Sequence, residues 1–217
     1  MHSLSSFLTR CALVVLLCAA AYGQQKQSIA LPPAETEGGK PLMQALKART
    51  SQREFRTEKL SPQALSNLLW AGFGVNRTDS GNRTAPSASN RQEIEIYVAT
   101  EDGLYVYNAT GHALDAVLSA DIRQATGRQE WVRTAPVNLV YVADFSKMGD
   151  RATTEDKILY SAADTGFISQ NVYLFCASEG LATVVRGGID RTALASAMKL
   201  RPDQRIILAQ TVGYPKK

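Results

Sequence analysis

Apolar and polar residues alternate along this chain with different rhythms, and the most unusual stretch lies between residues 155 and 185. It reads EDKILYSAADTGFISQNVYLFCASEGLATVV, with no charged residue between Asp164 and Glu179. The pattern predicts a helix that begins at Thr153 and Thr154, where hydroxyls and early carboxylates suit the positive end of the dipole. Gly180 is placed to stop it in the left-handed conformation. A helix apolar on nearly every face is buried on nearly every side, and this one is shorter than the ~20 apolar residues a bilayer span needs. Gln170 and Asn171 are polar within it, and an unpaired buried amide costs roughly 1–3 kcal/mol. They either bond neighbouring backbone or face a ligand or second subunit.

The other elements have shorter signatures. Residues 40–48 predict a short helix. Ser61-Pro62, a cap followed by proline at the first helical position, opens a second helix that closes at Gly72 and Gly74. Residues 76–90 form a long polar loop of the kind that tends to carry function. Strict alternation over residues 93–98 predicts a strand with one buried face. Asp102-Gly103 signals a hairpin, with the returning strand at 104–107. A helical stretch is expected around 116–126, then a strand covered on both faces at 138–143. A short helix over 191–198 and a buried strand over 205–212 complete the chain. Helices flanking a sheet that mixes hairpins with long crossovers make an α+β fold, and no repeat is visible.

The first residues change the composition that matters. Arg10 precedes an apolar run from Cys11 to Ala21, and Ala21-Tyr22-Gly23 supplies the small residues of a signal-peptidase site. Residues 1–23 therefore read as a signal peptide of the general export pathway, residues 24–39 as a polar linker or arm, and residues 40–217 as one domain. The expected location is periplasmic or secreted, with no membrane span left after cleavage. Of the three cysteines only Cys176 remains, so no internal disulfide can form, and of the two histidines only His112. Charge falls from 24 basic and 20 acidic residues by the loss of Arg10 to +3, too mild to indicate nucleic acid. One histidine and one buried cysteine exclude a zinc cluster. Neither a nucleophile elbow nor a glycine-rich phosphate loop is present.

Two segments have the residue types of a binding site. In Arg49-Thr50-Ser51-Gln52-Arg53, extended backbone would turn both arginines and the serine hydroxyl the same way, suited to one anion; the alternative is a solvated basic loop. In Pro86-Ser87-Ala88-Ser89-Asn90, small side chains would let backbone approach a flat ligand.

Eight segments in order, RTSQREF (49–55), LSPQALSNLLWAGFGVNR (60–77), TAPSASNRQ (84–92), HAL (112–114), APVNLVYVAD (135–144), DTGFISQNVYLFCASEGLATVV (164–185), GGID (187–190) and VGYPKK (212–217), resemble the FMN-dependent nitroreductase family, most closely its azoline-type dehydrogenase branch. The resemblance implies a nitroreductase-like α+β fold with a mixed, mainly antiparallel sheet and a long buried helix at a homodimer interface. It implies that Arg49, Ser51 and Arg53 hold the FMN phosphate and ribityl chain. Pro86, Ser87, Ala88 and Asn90 would lie against the flavin ring, and Gly180, Leu181 and Gly188 along its other edge. Lys216 or Lys217 would close on the phosphate, and Gln170 and Asn171 would reach toward the partner's site. The family often carries a charge where this chain has Gly187. No side chain need act as catalyst, because FMN carries the hydride or electron transfer, here with a small organic molecule such as a quinone or nitroaromatic. The alternative is a ligand-binding protein on the same scaffold without turnover.

Overall fold

The computed structural model describes residues 28–216; the expected signal segment lies outside them. Seven strands form the main sheet: β1 (Ser28–Ala30), β4 (Ile94–Thr100), β5 (Gly103–Asn108), β6 (Ala113–Leu118), β7 (Val137–Asp144), β8 (Ala182–Arg186) and β9 (Gln204–Gly213). Their order is β1-β6-β5-β4-β7-β9-β8. Every pairing among them is antiparallel, in keeping with the mainly antiparallel sheet expected. A two-stranded ribbon, β2 (Val75–Arg77) with β3 (Asn82–Arg83), stands apart. The helices are α1 (Leu42–Ala48), α2 (Pro62–Phe73), α3 (Thr154–Glu179) and α4 (Arg191–Ala197).

The long apolar stretch is α3, and its ends are built as the pattern required. Thr153 and Asp156 form a reciprocal capping box, which satisfies two of the helix's free N–H groups. Gly180 closes the other end at φ 71°, a left-handed conformation that costs glycine nothing. The inner face of α3 lays Ile168, Val172 and Cys176 on Ile96, Val98, Leu139 and Tyr141 of the sheet, with Leu68, Leu69 and Phe73 of α2 beside them. Gly72 permits this approach, because a Cβ there would stand 3.1 Å from Val172 Cγ2.

The outer face of α3 is open in a single chain, contrary to the expectation of burial on nearly every side. Leu159 is 63 % exposed and Phe167 48 %, and α1, packed alongside, shows Leu42, Met43 and Leu46 to solvent.

Two further expectations are corrected. Strand β4 is covered on both faces: Tyr97 and Ala99 join a second core with Val140, Val142, Leu194 and Met198 on the α4 side of the sheet. Its alternation hid this because Tyr97 buries a hydroxyl that Gln204 satisfies. The helix expected around 116–126 is the end of β6 followed by a 3-10 turn at Arg123–Thr126. Pairing with β5 overrode the local preference there. Within 24–39, Ser28–Ala30 pairs with Ala113–Asp115 as the edge strand. The following segment is held by Ser66 Oγ and His112 Nε2 on the Pro32 carbonyl.

Candidate functional site

Segment 49–53 leaves α1 in extended backbone at Arg49 (φ −57°, ψ 121°). The Gln52 N–H bonds the Thr183 carbonyl at 3.0 Å, so the segment runs beside β8 and covers part of that strand's open edge. Tyr173 of α3 covers more of it. Its hydroxyl accepts the Val185 N–H at 2.9 Å and meets Ser51 Oγ at 2.9 Å. The Arg49 guanidinium lies 5.3 Å from the centre of the Tyr173 ring, a cation–π contact. Arg53 is exposed, and the C-terminal tail folds over this segment: Lys216 N–H donates to the Glu54 carbonyl, and Phe55 bridges to Pro215. A cavity of about 200 Å³ opens here, lined by Lys40, Thr50, Gln52, Tyr173, Gly180 and Leu181 among others. Gly180 and Leu181 line this cavity with Thr50 and Gln52, whereas Arg49, Ser51 and Arg53, which alternate with those two, and Lys216 do not line it; Lys217 lies outside the described residues. No carboxylate among the described residues pairs with Arg49 or Arg53.

Residues 86–90 form a second cluster. Ser89, Asn90 and Gln92 all have φ between 50° and 53°, a costly conformation for residues with side chains. The loop is tied down accordingly. Ser87 Oγ accepts the Gln92 N–H, Asn90 Nδ2 donates to Asn82, and Gln92 bonds the Gly81 carbonyl, Asn90 and Arg83. The Ala88 N–H donates to Asp164 Oδ2 of α3 at 2.9 Å. Beside Asp164 lies Glu93, fully buried, with neither carboxyl oxygen hydrogen-bonded. Burial pushes the Glu93 carboxyl up most; its own backbone N–H works against this, and the charge and side-chain contact of Asp164 add to the rise, which reaches about 7.

The two clusters sit on opposite flanks of α3. Asp164 and Tyr173 are nine residues apart, so they lie roughly half a turn out of phase and about 13 Å apart along the axis. Between the flanks is the open face, where Gln170 is exposed. Asn171 instead turns inward, its amide donating to the Gly72 carbonyl at 3.4 Å. Gly188 is not with Gly180 and Leu181; it lies past the far end of β8, roughly 20 Å further on, where its carbonyl accepts the Arg128 N–H. The charge that reaches Gly187 is Arg191, whose guanidinium donates to the Gly187 carbonyl at 3.4 Å; Arg186 turns instead to Thr126, Asn138 and Thr211 and is held down to about 10 by burial.

A match to the Nitroreductase family covers residues 46–214, from the end of α1 to the C-terminal tail. The chain belongs to the nitroreductase family. Within it, a protein from Methanocaldococcus jannaschii assigned as a nitroreductase is 29 % identical over 167 residues, covering 70 % of this chain and 81 % of that one. A crystal structure of a nitroreductase from Ralstonia eutropha, 42 % identical, superposes with a TM-score of 0.84 over 90 % of this chain and 92 % of that one. A nitroreductase from Desulfovibrio desulfuricans, crystallised in complex with FMN, shares the fold at a TM-score of 0.59 and 24 % identity, over 83 % and 89 % of the two chains.

The protein contains a larger cleft, about 540 Å³, between the β2–β3 ribbon and residues 109–112, with Trp70 and His112 in its wall. His112 is fully engaged by Tyr107, Ser66 and Pro32, as a structural histidine should be. Volume alone therefore does not choose the site. Three residues of the two clusters had no signal in the sequence. Tyr173 reads as one apolar-run aromatic among several. Glu93 sits at a polar position of an alternating strand. Asp164 reads as the charged boundary of the apolar run.

Proposed function

We propose that the protein is an FMN-dependent oxidoreductase that works as a homodimer, each site built from segment 49–53 of one copy and loop 86–90 of the other. The observation that carries this is the segment 49–53 itself. It presents two guanidiniums with no carboxylate partner among the described residues, and a serine whose hydroxyl is held by a tyrosine. Tyr173 accepts from Val185, so its own hydrogen can go to Ser51 Oγ and leave the Ser51 hydrogen for a ligand oxygen. A phosphate monoester fits this donor set, since arginine forks match its oxygens. Lys216, brought alongside through Glu54, adds a mobile point charge.

The loop residues Pro86, Ser87 and Ala88 present backbone and small side chains to a flat ring, with Asn90 at the rim. Because the clusters occupy opposite flanks of α3, pairing two copies across the open α3 face would bring one cluster of each together. Leu42, Met43, Leu46, Leu159 and Phe167 on that face supply the apolar area such a dimer needs, and Gln170 would then face the other copy. Bound FMN supplies hydride or electron transfer to a small acceptor such as a quinone or nitroaromatic. The chain's part is to hold the phosphate, orient the ring and exclude water. The pattern of residues 1–23 supports export, and outside the cytoplasm, where nicotinamides are scarce, another donor would serve.

The test is a fluorescence titration of purified protein with FMN and with FAD, followed by quinone reduction using a chemical reductant. Tight binding of about one FMN per chain, in preference to FAD, is expected; absence of flavin binding overturns the proposal.

A further inference from the structure

Glu93 and Asp164 are two carboxyl groups side by side in the interior, the first fully buried and the second 2 % exposed. A buried carboxylate without partners gives up its charge by taking a proton, and two carboxyls in contact do not both ionise. Neither Glu93 oxygen meets a donor, while Asp164 accepts the Ala88 N–H. This divides the roles: Glu93 carries the proton and Asp164 the charge. Other charged groups nearby do not remove the need for that proton. Arg91 lies on the same segment and acts only weakly on Glu93. Asp144 of β7 donates its backbone N–H to the Glu93 carbonyl, but its carboxylate is turned to Ser146 and Arg201. Glu95, two residues on, is bonded to Lys147 and Gln204.

We propose that Glu93 and Asp164 form a one-proton acid–carboxylate pair that fixes the Ala88 peptide and so positions loop 86–90 for the flavin ring, an inference that rests on the reading of this loop as the ring contact. The loop needs such a hold. Three of its residues, Ser89, Asn90 and Gln92, have positive φ without being glycine, so the backbone relaxes once its ties loosen. Asp164 is the tie that comes from the rigid helix; the other loop bonds run to the ribbon or within the loop. When the shared proton leaves for solvent, two negative charges occupy one buried site and separate, and the Ala88 anchor moves with Asp164. Glu93 and Asp164 are therefore positioning residues that act through Ala88. The sign for stability follows. A carboxyl raised in the fold contributes fully below the ordinary carboxylate range, and its contribution is lost as pH rises toward about 7.

Two measurements test this. Infrared titration of the flavin-free protein should show a protonated carboxyl band near pH 6 that fades by pH 9 and is missing in Glu93→Gln. FMN titrations from pH 5 to 9 should show the parent losing affinity by about tenfold, the worth of one charge-assisted hydrogen bond. Glu93→Gln keeps a donor toward Asp164 and cannot ionise, so it should hold the parent's low-pH affinity across the range. Asp164→Ala should bind weakly at every pH. FMN phosphate itself titrates near pH 6, so the decisive quantity is the difference in slope between parent and Glu93→Gln. No carboxyl band in the parent at pH 6 overturns the pair, whatever the flavin does. A band with equal slopes overturns the positioning role. A parent that shows the band and binds no FMN at any pH overturns the positioning role together with the proposed function, while the pair itself stands.

Discussion

Tyr173→Phe removes one oxygen atom and isolates the contact on which segment 49–53 depends. The hydroxyl has two partners, the Val185 N–H and Ser51 Oγ, each at 2.9 Å. The phenyl ring stays, so the cation–π contact with Arg49 is largely kept. Val185 is on β8, at the edge of the sheet and half-buried, and its N–H loses its partner. An unsatisfied donor in such a place costs about 1–3 kcal/mol. Taking about 2 kcal/mol, a domain of this size should melt about 4–8 °C lower. Ser51 also loses its holder. A net hydrogen bond of about 0.5–1.5 kcal/mol in preorganisation lowers FMN affinity by about two- to tenfold. Scanning calorimetry and flavin titration on the same preparation measure both. A variant that melts within about 1 °C of the parent and binds FMN equally would refute the reasoning, since both effects derive from one oxygen.

Arg49→Ala and Arg53→Ala should each weaken FMN binding by about 10- to 150-fold without loss of folding, one charge-assisted contact being worth about 1.5–3 kcal/mol; Lys216→Ala should do less, and circular dichroism beside flavin titration separates the cases. Asn90→Ala should alter the rate of quinone reduction while FMN loading stays near that of the parent, as read by stopped-flow absorbance. Phe167→Asp places a charge on the open face of α3 and should yield folded monomers by light scattering, because Phe167 is 48 % exposed in one chain and its substitution leaves the core intact.

Much of the fold could be read from residue pattern because local chemistry and final structure agree there. Ser61-Pro62 caps α2, Gly180 ends α3, and the dense run at 138–143 is an interior strand of the sheet, buried along its whole length. Where they disagree, tertiary pairing decided. Residues 116–118 lean toward helix by local pattern and are strand because β5 offers partners. The apolar coat of α3 predicted burial that one chain supplies on only one face. The candidate site was legible where function needs unusual residues in a short stretch, as at Arg49, Ser51 and Arg53. It was invisible where a residue acts through a neighbour far away in sequence: Tyr173 reaches Ser51 across 122 positions, and Asp164 reaches Ala88 across 76. Gly180, Leu181 and Gly188 entered together through the family resemblance, and β8 runs between Leu181 and Gly188.

Each flavin site is proposed to draw segment 49–53 from one copy and loop 86–90 from the other. Two defective chains test it. One carries Arg49→Ala with Arg53→Ala; the other carries Ala88→Pro, which removes the N–H that Asp164 accepts. Each alone should form dimers that bind little FMN. The heterodimer, isolated with two affinity tags, has one site with both defects and one with neither, so it should hold about one FMN per dimer. A heterodimer as empty as either parent variant would place both clusters of a site on the same chain and contradict the account.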